Sequence, residues 1–474
     1  MILRNINHDC AYHTQKIATM FFPLEKMKES GDDNIEVVCE RADNQISVSA
    51  RVYSKEHTLC DVLQDGDDAA RKISLLMYRV LSEVTGFAPP WGILYGVRPA
   101  RLMHASVEKY GESGAKERFR SDLVHPEKID LALEVMHREN RIISLSRPES
   151  FSLYVSIPFC PTRCAYCSFV SHSIENAGAL IQPYVDLLCE ELKEIAKAAR
   201  DLLLRLETVY FGGGTPTTLS AEQLSKLMQT IGAHFDLSTL REYTVEAGRP
   251  DTVTMEKLDT LMLHGADRIS INPQTFSDTV RALAGRLHTT QQTLEAYEMA
   301  RMAGFDNINM DFIAGLSGES LESFCAGIDR AAALGAESVT VHNLALKSAA
   351  RLVTEREFFD NTQKNATAGM VDYAYRALTS QGYAPYYMYR QSKSLGNLEN
   401  VGYAKDGREC LYNIFMMDET HSVFAAGAGA VTKLKSTYHH IERVYNYKYP
   451  YEYIDNFGEV LRRKARIYDF YGNI

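Results

Sequence analysis

Three cysteines lie close together in the segment Cys160-Pro-Thr-Arg-Cys164-Ala-Tyr-Cys167. Their spacing lets three thiolates face one bound group from a short loop. That group could be a cubane iron–sulfur cluster whose fourth iron stays open to a ligand. It could also be a tetrahedral zinc ion with His172 as the fourth ligand, or the thiols could simply be buried. The cysteines alone leave these alternatives open.

Further candidate residues follow other short apolar segments of the chain. They are Gly212-Gly213-Gly214-Thr215-Pro216, Glu246, Pro273-Gln274, Asp311 and His342-Asn343. In parallel barrels the active site forms at the carboxyl ends of the strands, and glycines there let the backbone approach a ligand closely. Taken singly, each carboxylate could instead end a strand with an ion pair, and the glycines could form a tight turn. Together they predict one shared site.

The elements that would position these residues follow a βα rhythm from residue 151 onward. Apolar and β-branched runs predict strands at residues 151–157, 207–211, 242–247, 267–271, 307–312 and 338–342. Helices are predicted at 220–233 and 289–304, each opened by a capping box. Six such units favour an α/β fold built on a partial (β/α)6 barrel over an open doubly wound sheet.

Two further regions flank the predicted barrel, which spans residues 148–348. Residues 1–147 predict an N-terminal α+β unit, with strands at 35–39 and 45–52 and a helix at 67–84. The segment 89–101 contains the single tryptophan, Trp91, and the sequence assigns it no role. Residues 349–474 predict a C-terminal α+β extension that covers the substrate. Sixteen of the 27 tyrosines lie between Tyr373 and Tyr471, and they could form either a binding platform or an ordinary amphipathic surface.

The composition is typical of a globular protein and argues against several other classes of protein. The 474 residues are 45% hydrophobic and 24% charged, with a net charge of −10, as in ordinary globular proteins. The acidic balance argues against a nucleic-acid binder. No apolar run of about 18 residues exists, and the first residues lack the order of a signal peptide. We therefore expect a cytoplasmic protein with no membrane span.

The motif Tyr154-Val-Ser-Ile-Pro-Phe-Cys160-x3-Cys164-x-Tyr166-Cys167, followed by Gly-Gly-Gly-Thr-Pro-Thr, identifies a family. It resembles the radical S-adenosylmethionine (SAM) superfamily and, within it, the oxygen-independent coproporphyrinogen III oxidase (coproporphyrinogen dehydrogenase) family. The resemblance covers about residues 150–435. The N-terminal unit and the segment 386–405 are similar to the longer Gram-positive branch of that family.

The resemblance implies cofactors and site residues. Cys160, Cys164 and Cys167 would ligate a [4Fe-4S] cluster, and one or two SAM molecules would bind beside it. The SAM contacts implied are Tyr154, Gly213, Gly214, Thr215, Glu246, Gln274, Arg286, Asp311, Ala345 and Val431. Tyr154, Glu246 and Arg286 would also take part in catalysis.

The resemblance also implies a reaction. A reduced cluster would cleave SAM, and the resulting radical would remove hydrogen from a propionate of coproporphyrinogen III, so that carbon dioxide leaves and a vinyl group forms. A flavodoxin- or ferredoxin-type donor would supply the electron. The tetrapyrrole's carboxylates need cationic partners, for which the candidates in the tyrosine-rich region are Arg390, Lys405, Arg408 and Lys433.

Two departures from the family pattern keep other functions open. Phe169 stands where the best-studied branch has a further cysteine, and Ala247-Gly-Arg-Pro stands where an acidic or Asn-Pro sequence is usual. The alternatives are a radical SAM methyltransferase, an anaerobic haem-modifying enzyme and a haem-trafficking protein on the same scaffold.

Overall fold

The structure is a computed structural model that describes residues 1–169, 171–345, 361–436 and 440–472. The chain divides into two compact units. The first unit comprises Met1–Met136, Asn343–Tyr373 and Met388–Asn400, and the second comprises His137–His342, Ala374–Tyr387 and Val401–Ile474. The chain therefore passes from one unit to the other several times after residue 342. The division at residues 147 and 348 suggested by the sequence stays a prediction.

The elements follow one another in this order. The N-terminal ones are β1 (Ile2–Ile6), α1 (Ala11–Phe21), β2 (Ile35–Ala42), β3 (Gln45–Val52), β4 (Lys55–Val62), α2 (Ala69–Thr85), α3 (Pro99–Ser121) and α4 (Pro126–Ile143). The central ones are β5 (Ser150–Ile157), β6 (Phe159–Cys160), β7 (His172–Ser173), α5 (Ile174–Ala177), α6 (Ile181–Asp201), β8 (Arg205–Gly213), α7 (Ala221–His234), β9 (Glu242–Glu246), α8 (Met255–Leu263), β10 (Arg268–Ser270), α9 (Asp278–Leu283), α10 (Thr290–Met302), β11 (Ile308–Ala314), α11 (Leu321–Ala333) and β12 (Ser338–Asn343). The last are α12 (Asn361–Ser380), β13 (Ala384–Arg390), β14 (Glu399–Ala404), α13 (Leu411–Asp418), β15 (Ser422–Ala426), β16 (Val431–Lys435), β17 (Ile441–Tyr445), α14 (Pro450–Asp455) and α15 (Phe457–Gly472).

The first unit is built on a four-stranded sheet in the order β1-β2-β3-β4. Strand β1 is parallel to β2, and the other two pairs are antiparallel. Helix α2 begins where the Asp68 carboxylate accepts from the Arg71 N–H, and it ends at Gly86, whose φ of 67° suits glycine. Its buried face packs on the sheet with α1 to form one hydrophobic core. The α+β unit predicted at the N-terminus is confirmed.

The second unit is built on an eleven-stranded sheet in the order β13-β14-β12-β11-β10-β9-β8-β5-β15-β16-β17. The six strands predicted from the sequence are the adjacent run from β12 to β5. The pairs β11–β10, β10–β9, β9–β8 and β8–β5 are parallel, so the carboxyl ends of these strands meet at one edge. Strand β15 adds a further parallel partner to β5.

Local sequence signals explain the helices that cover this sheet. Helix α7 opens with a capping box in which Ser220 and Gln223 satisfy each other's backbone N–H groups, and α10 opens in the same way through Thr289 and Gln292. Gly304, at φ 101°, follows the end of α10. Both helices lie within one or two residues of their predicted bounds. Among the described residues, no helix is long and apolar enough to cross a bilayer.

Candidate active site

The three clustered cysteines lie on one loop beyond β5. Cys160 ends β6, and the backbone N–H of Cys167 donates to the carbonyl of Cys164 at 3.2 Å. Burial raises the pKa of the Cys160 and Cys167 thiols, and the charge of Cys164 raises both further. Each thiol therefore lies within electrostatic range of the others, and a metal that binds thiolates would offset the cost of ionising them.

The described part of the chain contains no set of side chains arranged to bind a zinc ion. There, no group of three or more His, Cys, Asp and Glu side chains is placed to hold a single metal ion. The ring of His172 instead packs edge-on against Tyr449 and Tyr451, with centroid distances of 5.8 and 6.1 Å. A cubane distributes its three thiolates over three irons, so its ligands lie farther apart than those of one ion.

The glycine segment at the end of β8 lies directly against the cysteine loop. The N–H of Gly214 donates to Ile157 at 2.8 Å, and that of Thr215 donates to Phe159 at 2.8 Å. A Cβ at Gly214 would come within 2.5 Å of the Phe159 carbonyl oxygen and 3.0 Å of the Cys160 sulfur. The Thr215 hydroxyl also reaches that sulfur, at 3.5 Å. Glycine at position 214 therefore lets this segment pack directly against the first cysteine, with no side chain between them. A cluster held by that cysteine would lie beside exposed backbone rather than beside a side chain.

Glu246 ends the neighbouring strand β9 and receives a hydrogen bond of 2.6 Å from the Tyr210 hydroxyl. Tyr210 lies nearly parallel to two neighbouring rings, Tyr412 at 4.5 Å and Tyr154 at 6.2 Å between centroids. Burial, followed by the negative charge of Asp311, raises the pKa of Glu246 to about 7, although the hydrogen bond from Tyr210 opposes the rise. Burial and the Glu246 charge also raise the pKa of Tyr154.

Asp311, on β11, has a different environment from Glu246. Burial alone would raise its pKa, but His342 and Asn309 hold it below its ordinary value. The Asn309 amide donates to it at 2.7 Å, and His342 Nε2 lies 3.7 Å from its other oxygen. Two neighbouring carboxylates therefore differ in proton affinity, as a site that needs one acid and one fixed negative charge would require.

Gln274 and Arg286 are also brought to this edge. Gln274 has φ 62°, and its backbone bonds both to Asp311 and to Ile313 of β11. The guanidinium of Arg286 donates to the carbonyl oxygens of Asn272 and Gly248, at 2.9 and 2.6 Å. Within the described part of the chain, its buried Nε has no hydrogen-bond partner, and the same holds for four other arginines, so this atom alone does not mark a ligand site.

Two further predicted SAM contacts, Val431 and Ala345, lie on other elements of the fold. Val431 begins β16, directly after a loop that is fixed to the end of β5 by a 2.8 Å hydrogen bond from the Ser156 hydroxyl to the Ala428 carbonyl. Ala345 belongs to the first unit, where it forms an isolated bridge with Ser394. The role of both residues stays a prediction.

Sequence reasoning missed several residues that border the cysteine loop. The Ala165 N–H donates to Ala284 at 2.9 Å, and a Cβ at Gly285 would touch the loop backbone. Arg249 donates to Thr162, between the first two cysteines. The unusual Ala247-Gly-Arg-Pro sequence was the available signal for Arg249, whereas no local pattern marked Ala284 or Gly285.

The cationic residues proposed as carboxylate clamps are mostly engaged within the protein. Arg390 is only 3% exposed, and its guanidinium lies over the Trp91 ring at 5.4 Å and donates to backbone carbonyls. The structure therefore contradicts its predicted role. Lys405 donates to the carbonyl of residue 335 at 2.9 Å, and Arg408 makes a bidentate ion pair with Asp306.

Part of the tyrosine-rich region belongs to the core, and the other tyrosines that the structure describes are half-buried or exposed. The tyrosines of this region that are less than a tenth exposed are Tyr383, Tyr386, Tyr387, Tyr403, Tyr412 and Tyr453. A flat aromatic surface is found instead inside the site, in the stack of Tyr154, Tyr210 and Tyr412. For Lys405, Arg408 and Lys433 the role of carboxylate clamp stays a prediction.

Comparison with known proteins places this site in a family. The model of the radical SAM superfamily matches residues 154–331. The chain is 35% identical over 446 residues to the oxygen-independent coproporphyrinogen-III oxidase-like protein HemZ of Bacillus subtilis (strain 168), which covers 90% of this chain and 89% of HemZ. It is 32% identical over 280 residues to the heme chaperone HemW of the same organism, covering 58% of this chain and 70% of HemW.

A solved structure agrees with this assignment. Coproporphyrinogen III oxidase (HemN) from Escherichia coli aligns with a TM-score of 0.53 and 22% identity, over 69% of this chain and 73% of HemN. The second unit accordingly has the α/β radical SAM fold, as the sequence predicted. The cysteine motif, the fold and the match to HemZ over both units agree, and the chain belongs to the oxygen-independent coproporphyrinogen-III oxidase-like family of radical SAM proteins.

Proposed function

We propose that this protein is a radical SAM enzyme that oxidatively decarboxylates propionates of coproporphyrinogen III to vinyl groups without oxygen. For each propionate, the radical formed from SAM takes a hydrogen atom, and an electron acceptor takes the electron that is left when carbon dioxide departs. The observation that carries the proposal is the match to HemZ, because it spans both units and not the radical SAM segment alone. A cytoplasmic location and a flavodoxin- or ferredoxin-type electron donor belong to the same proposal.

Named residues support the binding half of this proposal. Cys160, Cys164 and Cys167 would hold the [4Fe-4S] cluster that the superfamily implies, and the segment Gly213–Thr215, which packs against the cysteine loop, would contact SAM. The cluster and SAM together supply a carbon-centred radical when an electron is delivered. Because such a radical is indiscriminate, the protein must position the substrate carbon closely and keep water away.

The remaining polar residues support the chemical half. Asp311 stays ionised and offers a fixed acceptor, whereas Glu246 can hold a proton near neutral pH. Tyr154 and Tyr210 place phenol rings beside Glu246, which shield part of its carboxyl group. Arg286 and Gln274 would complete the SAM contacts from the neighbouring strand ends.

The test is anaerobic reconstitution followed by turnover. Wild-type protein should bind about four iron and four sulfide per chain, and the triple variant C160A/C164A/C167A should bind none. Cys325→Ala is the matched control, because Cys325 is partly buried on α11 and outside the cysteine loop. Protein with stoichiometric zinc and no iron–sulfur absorption would refute the proposal.

Turnover separates the candidate reactions. With SAM, dithionite and coproporphyrinogen III, mass spectrometry should find a macrocycle that has lost two carboxyl groups, together with 5′-deoxyadenosine. A macrocycle of greater mass, formed together with S-adenosylhomocysteine, would indicate methyl transfer instead of decarboxylation. A modified haem produced from added haem would indicate haem modification instead.

A second candidate function is haem trafficking, and two observations favour it. HemW chaperones from several bacteria match the chain at 27–32% identity. Phe169, which stands two positions after Cys167 where the best-studied branch of the family has a further cysteine, is 64% exposed. Tight haem binding with no cleavage of SAM, in protein that holds its full cluster, would favour trafficking over decarboxylation.

A further inference from the structure

Arg249 occupies the unusual Ala247-Gly-Arg-Pro segment that follows β9. It is a long charged side chain, yet only 3% of it is exposed. Charged groups are rarely buried to this extent unless each part of them is bonded. Its position after the strand that ends in Glu246 brings it to the edge of the sheet where the cysteine loop lies.

The guanidinium of Arg249 has two differently engaged sides. One side forms a bidentate ion pair with Asp251, with Nε–Oδ1 and Nη2–Oδ2 distances of 2.9 and 2.7 Å. The other side donates from Nη1 to the Thr162 hydroxyl at 3.0 Å and to its carbonyl at 3.4 Å. Thr162 lies between Cys160 and Cys164, so the positive end of the ion pair faces the cysteine loop and the negative end faces away.

The electrostatic coupling agrees with this geometry. Burial would lower the pKa of Arg249, but Asp251 and then the charges of Cys164 and Cys160 raise it above its ordinary value. On the far side, His288 Nδ1 lies 3.9 Å from Asp251. Burial and the nearby arginines Arg286 and Arg281 lower the pKa of His288 to about 3, so the ring is neutral and leaves the charge of Asp251 to Arg249.

We propose that Arg249 raises the reduction potential of the iron–sulfur cluster held by the cysteine loop. The proposal rests on the cluster assigned above under the proposed function. One-electron reduction adds a negative charge to the cluster, and a positive charge fixed in a buried, low-dielectric position favours the reduced state. A buried cation is a direct means of adjusting the potential, since net charge and hydrogen bonding near the cluster determine it.

The test is a potentiometric titration of the reconstituted cluster, with dithionite as reductant and the reduced cluster followed by electron paramagnetic resonance. Arg249→Gln keeps a donor for Thr162 but removes the charge. It should lower the ratio of reduced to oxidised cluster at a fixed potential about tenfold, equivalent to about 59 mV for one electron. Asp251→Asn removes the compensating negative charge and should shift the potential in the opposite direction. Arg249→Lys keeps the charge and should stay closest to wild type.

Arg301→Gln is the matched control. Arg301 forms a comparable ion pair with Glu337, at 2.8 Å, near the amino-terminal end of β11, so its replacement should leave the potential unchanged. If Arg249→Gln does not retain the cluster, Asp251→Asn and Arg249→Lys still measure the effect of charge.

Two results separate this inference from the proposed function. Absence of iron and sulfide from the wild-type protein would refute the cluster and with it the proposed function. A full cluster whose potential is the same in Arg249→Gln, Asp251→Asn and wild type would refute the role of Arg249 alone. Shifts of the same sign in both variants would likewise refute it, because they would indicate loosening of the loop rather than charge.

Discussion

Replacing Glu246 with glutamine should make the protein more stable at alkaline pH while weakening its action on SAM. The side chain is half-buried at the end of β9, with Asp311 nearby, and its pKa is raised to about 7 from an ordinary value of 4.5. Glutamine has nearly the same shape, and its carbonyl oxygen can still accept from the Tyr210 hydroxyl. The substitution therefore removes the ionisation and keeps the packing.

The size of the effect follows from proton linkage. Between pH 4.5 and 7 the folded state keeps the proton of Glu246 while the unfolded chain has released it, so the folded state binds more protons and stability falls as pH rises. At about 1.4 kcal/mol per pKa unit, ionised Glu246 lowers the free energy of unfolding by about 3 kcal/mol at pH 8. Glu246→Gln should exceed wild type by up to this amount at pH 8 and equal it at pH 4.

The assay is urea unfolding of both proteins at pH 4, 6 and 8. Glu242→Gln is the matched control, because Glu242 lies on the same strand and its carboxylate accepts from the backbone N–H groups of Leu411 and Tyr412. That variant should be destabilised by about 1–3 kcal/mol at pH 8, because an amide cannot accept both bonds as well. A Glu246→Gln variant that is less stable than wild type at pH 8, or whose difference does not depend on pH, would refute the reasoning. In anaerobic assays, Glu246→Gln should also form 5′-deoxyadenosine more slowly.

Three further substitutions test the packing around the site and in the first unit. Gly214→Ala should lower the iron content and destabilise the fold by about 1–3 kcal/mol, because its methyl group would overlap backbone oxygens. Gly232→Ala lies on an open face of α7 and is the control. In the same iron and urea measurements it should be neutral or slightly stabilising. Trp91→Phe removes the 2.7 Å hydrogen bond to the fully buried Glu399, and urea unfolding should find a loss of about 1–3 kcal/mol; an unchanged stability would contradict the importance of that bond. Glu191→Gln breaks the buried ion pair with Lys464 and should lower the free energy of unfolding by about 3–5 kcal/mol. A loss below about 1 kcal/mol would mean that hydrogen bonds, rather than the charge of Glu191, stabilise this contact.

Local patterns predicted the parts of the fold that depend on near neighbours in the chain. The six central strands were recognised because short apolar runs alternate with amphipathic stretches. The starts of α7 and α10 were recognised because Ser220 and Thr289 open capping boxes. The same order of strands predicted that the cysteine loop, the glycine segment and Glu246 share one edge, which the structure bears out as a geometric arrangement.

Long-range pairing could not be predicted in this way. Strand β15 is parallel to β5, about 270 residues earlier, and nothing in the sequence of either strand specifies the other as its partner. The burial of a charged side chain is equally hard to predict from the sequence. Arg390 has the charge of a substrate clamp but is buried over Trp91, because the side chain's environment depends on segments that meet only in the folded chain.

Strand β9 links the C-terminal extension to the candidate site at the edge of the sheet. Its residues alternate between faces, so Glu242 and Glu246, four positions apart, point to the same side. Glu242 accepts backbone N–H groups at the start of α13 and so fixes the position of Tyr412. Tyr412 stacks at 4.5 Å on Tyr210, whose hydroxyl donates to Glu246. The proton affinity of Glu246 therefore depends on a helix from the last quarter of the chain, and this contact explains how a C-terminal extension can affect a site that the six central strands would otherwise form alone.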